Sequence, residues 1–353
     1  MRRFVLLGVV LLVLGGGAAV ALPIDGPSLD AGLQVEKWQY SRDEAVSVTF
    51  SLANVSDRTL YVLGWQTPLN GFEGDIFEVE VDGQSVSYIG KLVKRPAPAP
   101  EDYVAIGAGE RVSVAFDLSE AYDMSREGEY TVRYSADLDV NDVAVPTRRY
   151  GKALAVPEAV TLVESNAVSL FSEAREQKLG FDVSALTFGG TTNCTSARVS
   201  TLQTALTNAT TMASKAKTWL TNNPSGGAYY TKWFGAYTSS RFSTVKGNYN
   251  AIYDAFVNKS MTFDCGCTQN YYAYVYPTQP YKVYVCAVFW QAPATGRDSR
   301  AGTIVHETSH FNVVARTQDY VYGETGALNL AKTQPKKAIA NADNHEYFAE
   351  DAP

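Results

Sequence analysis

Histidine is almost missing from this chain, at 3 in 353 residues. A metal site made of histidine alone has little to draw on, and any pair at ligand spacing stands out. Cysteine is absent from the first half: all 4 lie between Cys194 and Cys286, and none forms a Cys-x-x-Cys pair. That spacing argues against a thiolate zinc knuckle. Beyond residue 21 no stretch approaches the roughly 18 continuous apolar residues of a membrane span. No cysteine stands where a leader would leave one to carry a lipid, so no membrane anchor is expected. The net charge of −7 leaves no overall basic footprint, and no nucleic-acid partner is expected.

What is present begins with a leader. Arg2 and Arg3 precede an apolar run from Phe4 to Leu14, and Ala19-Val20-Ala21 supplies a small-x-small cleavage site. Residues 1–21 therefore have the form of a secretory signal peptide, and the mature protein is expected outside the cell. In an exported chain an even cysteine count indicates two disulfides. Cys265-Gly-Cys267 is too close to pair with itself. Two pairings remain: Cys194–Cys265 with Cys267–Cys286, or Cys194–Cys267 with Cys265–Cys286.

The length suits two domains, each with its own core, and the sequence changes texture accordingly. Residues 22–155 alternate with period 2. "AVSVTFSL" puts Val46, Val48, Phe50 and Leu52 on one face, "RVSVAFDL" does so with Val112, Val114, Phe116 and Leu118, and "EYTVRYSADL" with Tyr130, Val132 and Tyr134. Asp82-Gly83 between two such runs is a hairpin signal. The expected fold is an all-β sandwich of immunoglobulin-like texture, interrupted by a proline-rich basic loop, "KLVKRPAPAPEDY". Residues 156–190 read as a polar linker in which "SLFSEAREQKLGF" could form a short helix. Residues 191–353 mix long amphipathic patterns with short strands and are expected to be an α+β domain. This back half is mildly basic: residues 188–353 hold 14 Lys+Arg against 10 Asp+Glu, net +4, which leaves −11 for the rest.

The chemistry concentrates in "HETSHFNVVARTQDYVYG", His306 to Gly323. On a helix, residues four apart share a face, so His306 and His310 can present two imidazoles to one ion. Glu307 lies beside them, placed to act on a metal-activated water. A third ligand must come from elsewhere. The histidine a metzincin would carry six residues after His310 is replaced by Arg316. Glu324, His345 and Asp319 are the candidates, and Asp319 is the nearest oxygen donor.

The same stretch resembles the aspzincin signature of the deuterolysin metalloprotease family, His-Glu-x-x-His followed by Gly-Thr-x-Asp-x-x-Tyr-Gly. Within that family it looks most like the peptidyl-lysine metalloendopeptidases. The resemblance runs through the back half, in "KWFGAYTSSRFSTV", "TFDCGCT", "YAYVYP", "VYVCAVFWQAPATGRDSRAGTIVHETSHF" and "NADNHEYFAEDAP". It implies a zincin-type catalytic domain with one zinc ion held by His306, His310 and Asp319, with Glu307 as the base and Tyr322 as donor to the oxyanion. It also favours Cys194–Cys265 with Cys267–Cys286. Asp343 and Glu346 match positions that form the lysine pocket. Thr317, Asp319, Tyr322 and Gly323 fit the signature, whereas its first glycine is Arg316 here.

The expectation is a secreted, monomeric zinc endopeptidase acting on proteins or peptides before lysine. Its front half would be a prosegment that inhibits the enzyme or assists its folding. Lys178 is a candidate processing point, and Lys91 or Lys94 could reach the acidic pocket and block it. The alternatives are a broad-specificity protease, or an extracellular binding module whose zinc domain is secondary or inactive.

Overall fold

A computed structural model describes residues 29–142, 159–175 and 188–352; the leader and Lys178 lie outside the described residues. Alternating segments of the front half become strands: β1 (Leu29–Val35), β2 (Gln39–Tyr40), β3 (Ser47–Asn54), β4 (Leu60–Leu63), β5 (Phe77–Val81), β6 (Gln84–Ser85), β7 (Leu92–Lys94), β8 (Tyr103–Ile106), β9 (Arg111–Asp117), β10 (Gly128–Asn141), β11 (Ala159–Glu164) and β12 (Val168–Ser172). β1, β3 and β9 form one antiparallel sheet; β10 is the hub of a second, pairing with β4, β5, β11 and β12. Between the sheets lies a shared core, with Val48, Phe50 and Leu52 from the first and Tyr130, Val132, Tyr134 and Leu138 from the second. Asp82 and Gly83 both take positive φ, 49° and 72°, and join β5 to β6 in the left-handed turn that a two-residue hairpin requires.

In the stretch expected as a linker, 156–190, the described residues are largely strand. β11 and β12 run antiparallel to β10, and Val163 and Leu170 are buried in the front core. "SLFS", expected to begin a short helix, instead completes β12, because β10 offers it a ladder through Tyr130 and Thr131. The front unit therefore continues to about Ser172.

The back half adds β13 (Phe188–Thr192), α1 (Ser196–Asn222), α2 (Ala228–Phe234), α3 (Ser239–Asn258), β14 (Met261–Asp264), β15 (Ala273–Val275), β16 (Lys282–Val285), α4 (Arg300–His310), α5 (Gly323–Thr333), α6 (Pro335–Ala338) and α7 (Ala342–Glu350). α1 is capped by Thr195 and buries Leu202, Leu206, Ala209, Ala213, Ala216 and Leu220, a three-to-four residue stripe with enough alanine for close packing. It lies against α3 and α4. Cys194–Cys265 and Cys267–Cys286 are the disulfides. Among the described residues no helix is long and apolar enough to cross a membrane.

One sheet crosses the boundary between the halves. Its order is β13-β14-β16-β15-β7. β13, β14 and β16 are parallel, β15 is antiparallel to β16, and the last strand, β7, comes from the proline-rich loop of the front half. The edge that β15 would otherwise expose is covered.

Candidate active site

Ser299 caps α4, its Oγ accepting from the Gly302 N–H at 2.9 Å. Every residue from Ala301 to His310 is buried, so the two histidines are not incidental surface residues. Their ring centroids are 4.8 Å apart. The helix ends at His310, just before the apolar "FNVV". Phe311 adopts ψ 134° and the chain doubles back, bonding Thr317 N–H to the Ser309 carbonyl at 3.2 Å. This return sets Asp319 against both imidazoles: Oδ1 is 3.2 Å from His306 Nε2, and Oδ2 is 3.4 Å from His310 Nε2.

The surroundings orient each ring. His310 Nδ1 lies 2.8 Å from the Thr317 carbonyl, which accepts a proton but cannot donate one, so Nε2 keeps its lone pair for the cluster. His306 Nδ1 faces Asp343 Oδ1 at 2.9 Å, again leaving Nε2 on the Asp319 side. Both Nε2 atoms, both Asp319 oxygens and both Glu307 oxygens are buried without hydrogen-bond partners. Such orphans cost about 1–3 kcal/mol each, and a cation would relieve those that converge. Two imidazoles and a carboxylate within 4.8 Å of one another form a donor set that fits zinc. Burial alone would raise the Asp319 carboxyl, but His310 and His306 hold it well below the usual range. Burial pushes Glu307 up to about 7, against the pull of the same imidazoles.

The other proposed ligands lie elsewhere. Glu324 pairs with Arg297 at 3.2 Å. His345 is buried between the Asn341 carbonyl (2.9 Å) and Asn248 Nδ2 (3.0 Å), and burial lowers it to about 4. Sequence reasoning missed Asn341, whose Oδ1 accepts from the Tyr320 and Val321 N–H groups at 2.8 and 3.3 Å and fixes the loop carrying Asp319.

Arg316 occupies the signature's glycine position with φ 54°, its side chain exposed and its Nε donating to the Asn312 carbonyl at 2.8 Å. The backbone geometry that favours glycine is retained, at a cost of roughly 1–2 kcal/mol. Arg316→Gly recovers this but loosens the unfolded chain by about 0.5–1 kcal/mol. The expected result is unchanged activity with a melting temperature up to a few degrees higher by calorimetry. A clear drop would mean that the loop depends on the arginine side chain.

Beside the cluster is an acidic pocket. Asp343 and Glu346, both on α7, are buried, and the Lys94 side chain, 1% exposed, enters between them. Lys94 Nζ stands 2.5 Å from Glu346 Oε2, 3.5 Å from Asp343 Oδ1 and 3.6 Å from Asp298 Oδ1. Its ammonium also faces the rings of Tyr272 and Tyr347, 5.0 and 5.9 Å from their centroids. Burial would lower Lys94, yet Asp343 and Glu346 raise it well above a free lysine. Asp298, Tyr272 and Tyr347 were not among the expected pocket residues; a tyrosine in so tyrosine-rich a chain carries no signal of its own.

Asp343 joins several parts of the site. Besides Lys94 and His306, its Oδ2 accepts from the Gly323 N–H at 2.6 Å, at the start of α5. Gly323 has φ 80°, a conformation glycine adopts without strain, and it sets the direction of Tyr322. The Tyr322 hydroxyl donates to the Val93 carbonyl at 2.9 Å.

The sequence profile of the aspzincin M35 family, described as lysine-specific metallo-endopeptidase, matches residues 219–350. An extracellular protease of Aeromonas hydrophila is 43% identical, the match covering 97% of each chain. A peptidyl-Lys metalloendopeptidase of Armillaria mellea is 33% identical over 99% of this chain and 97% of that one. Both matches include the front half. A solved zinc peptidase from Grifola frondosa is 45% identical, covering 44% of this chain and 96% of that one, with a TM-score of 0.43.

Proposed function

The chain belongs to the aspzincin M35 family and is a metalloendopeptidase, and we propose that it is a secreted zinc enzyme, made as a latent precursor, that cuts on the N-terminal side of lysine. The observation carrying the proposal is the seat of Lys94. A lysine ammonium is held by the buried carboxylates Asp343 and Glu346 while the carbonyl preceding that lysine meets the Tyr322 hydroxyl. Secretion is supported by the leader in residues 1–21 and by the extracellular relative.

His306, His310 and Asp319 would hold the metal. When bound, zinc supplies a Lewis acid and lowers the pKa of its water to about 7. Glu307, unpaired and buried, would take the proton of the attacking water and return it to the departing lysine nitrogen. Tyr322 would donate to the carbonyl oxygen as it gains charge. An apolar side chain in the pocket would leave the two buried carboxylates uncompensated, which is the source of discrimination.

The front half would act on the enzyme as an intramolecular inhibitor. Lys94, of the two basic-loop candidates, fills the pocket; Lys91 instead pairs with Glu73 at 2.6 Å within the front half. A peptide library in which lysine is moved through every position, read by mass spectrometry, tests the specificity. Cuts should fall before lysine, and cuts spread evenly over other residues would defeat the proposal.

A further inference from the structure

The pocket is filled from within the chain, in a manner more specific than simple blockage. Resting on the lysine-specific endopeptidase reading, we propose that the Val93–Lys94 peptide bond is itself a cleavage site, and that the precursor makes its first cut there, in cis and slowly.

Three independent placements define the register. The Lys94 side chain takes the acidic pocket. The Val93 carbonyl, the electrophile of the Val93–Lys94 bond, accepts from Tyr322. β7 lies antiparallel on β15, with Lys94 opposite Ala273, Val93 opposite Tyr274 and Leu92 opposite Val275, and the Lys94 carbonyl accepts from the Tyr272 N–H at 3.0 Å. A segment that merely plugged the pocket would need only the first of these. Here the residues on both sides of one peptide bond are held as an added strand, which aligns that bond with the catalytic groups.

The reaction consumes one water. Oxygen adds to the Val93 carbonyl carbon, the bond to the Lys94 nitrogen breaks, and that nitrogen takes the proton that Glu307 removed from the water. The products are a carboxylate at Val93 and a new α-amino group at Lys94.

The same contacts make the cut slow. Leu92 and Val93 are buried, so the acyl side cannot leave. Beyond the bond, Arg95 stacks over Trp65 and Tyr271 and pairs with Glu73. Glu73 also takes Lys91 and, at 2.9 Å, the Tyr271 hydroxyl of the back half. Both new ends stay clamped, and the broken bond can re-form before the ends separate. A free peptide lacks these clamps and departs. The bond that confers latency would thus also be the first bond spent in losing it.

The test uses the full chain, purified under a chelator and started by adding zinc, with intact mass and N-terminal sequencing over time. The earliest new terminus should be Lys94, with none at Lys91, at a rate independent of protein concentration, and Glu307→Gln should yield no such fragment. A first terminus at Lys91 or Lys178, or a rate proportional to concentration, overturns the proposal. Each sample also receives an external peptide containing one lysine. Absence of a Lys94 terminus rejects this inference whether or not the latent chain cuts the external peptide; cuts of that peptide before residues other than lysine reject the lysine-specific reading along with it.

Discussion

Glu307→Ala is expected to retain bound zinc and the fold while losing about 10²–10⁴-fold or more in kcat/KM on a lysine peptide, the contribution typical of a positioned base. The prediction separates two roles that lie one residue apart. His306 and His310 turn their Nε2 atoms toward Asp319 and could hold the ion without Glu307. Glu307 oxygens have no hydrogen-bond partner, so truncation strands no other buried group. The structural cost is then the packing of a short side chain in α4, not a broken network. Zinc content by atomic emission, melting temperature and kcat/KM should be measured on the same preparation. Loss of zinc together with activity would mean that Glu307 helps hold the metal; near-normal turnover would remove it from the chemistry.

Much of this site could be read from the sequence because its parts are local. His306, Glu307 and His310 follow from helical spacing, and Asp319 and Tyr322 lie within the same stretch, close enough for one loop to return them. The strand alternation of the front half was equally readable, since each strand faces a single core. What escaped depended on contacts distant in sequence. "SLFS" joined β12 because β10 was there to receive it, a ladder no local pattern announces. Asn341 and Asp298 act on groups brought from other elements, and their own neighbours in sequence say nothing of it. Net charge says little about this contact: the front half is acidic and the back half mildly basic, yet Lys94 of the front enters carboxylates of the back. A few buried charges outweigh the solvated average, because solvent and salt screen the exposed ones.

Lys94→Ala is expected to give a full-length precursor that cleaves a lysine peptide before any processing, where the parent chain is latent. Removing one partner of a buried charge cluster costs about 3–5 kcal/mol. Spent on docking of the front half, that is roughly a hundredfold to several thousandfold in the equilibrium between closed and open cleft. The loss should fall on docking because the front half keeps its own core, to which Lys94 does not belong. The other contacts are individually weaker: among them are a three-residue ladder on β15, the Tyr322 hydrogen bond, the Tyr271 bonds to Glu73, its ring against Arg95, and the partly exposed Lys337–Asp137 pair. Lys94→Met serves as the control, since it keeps most of the side-chain volume and loses only the charge. If methionine opens the cleft as alanine does, the ammonium is what holds it shut, and shape contributes little. Activity must be read while the chain is still a single band on a gel, so that opening is not confused with cutting. A Lys94→Ala precursor that stayed fully latent would place the inhibition in the strand pairing instead, and the acidic pocket would then matter to substrates alone.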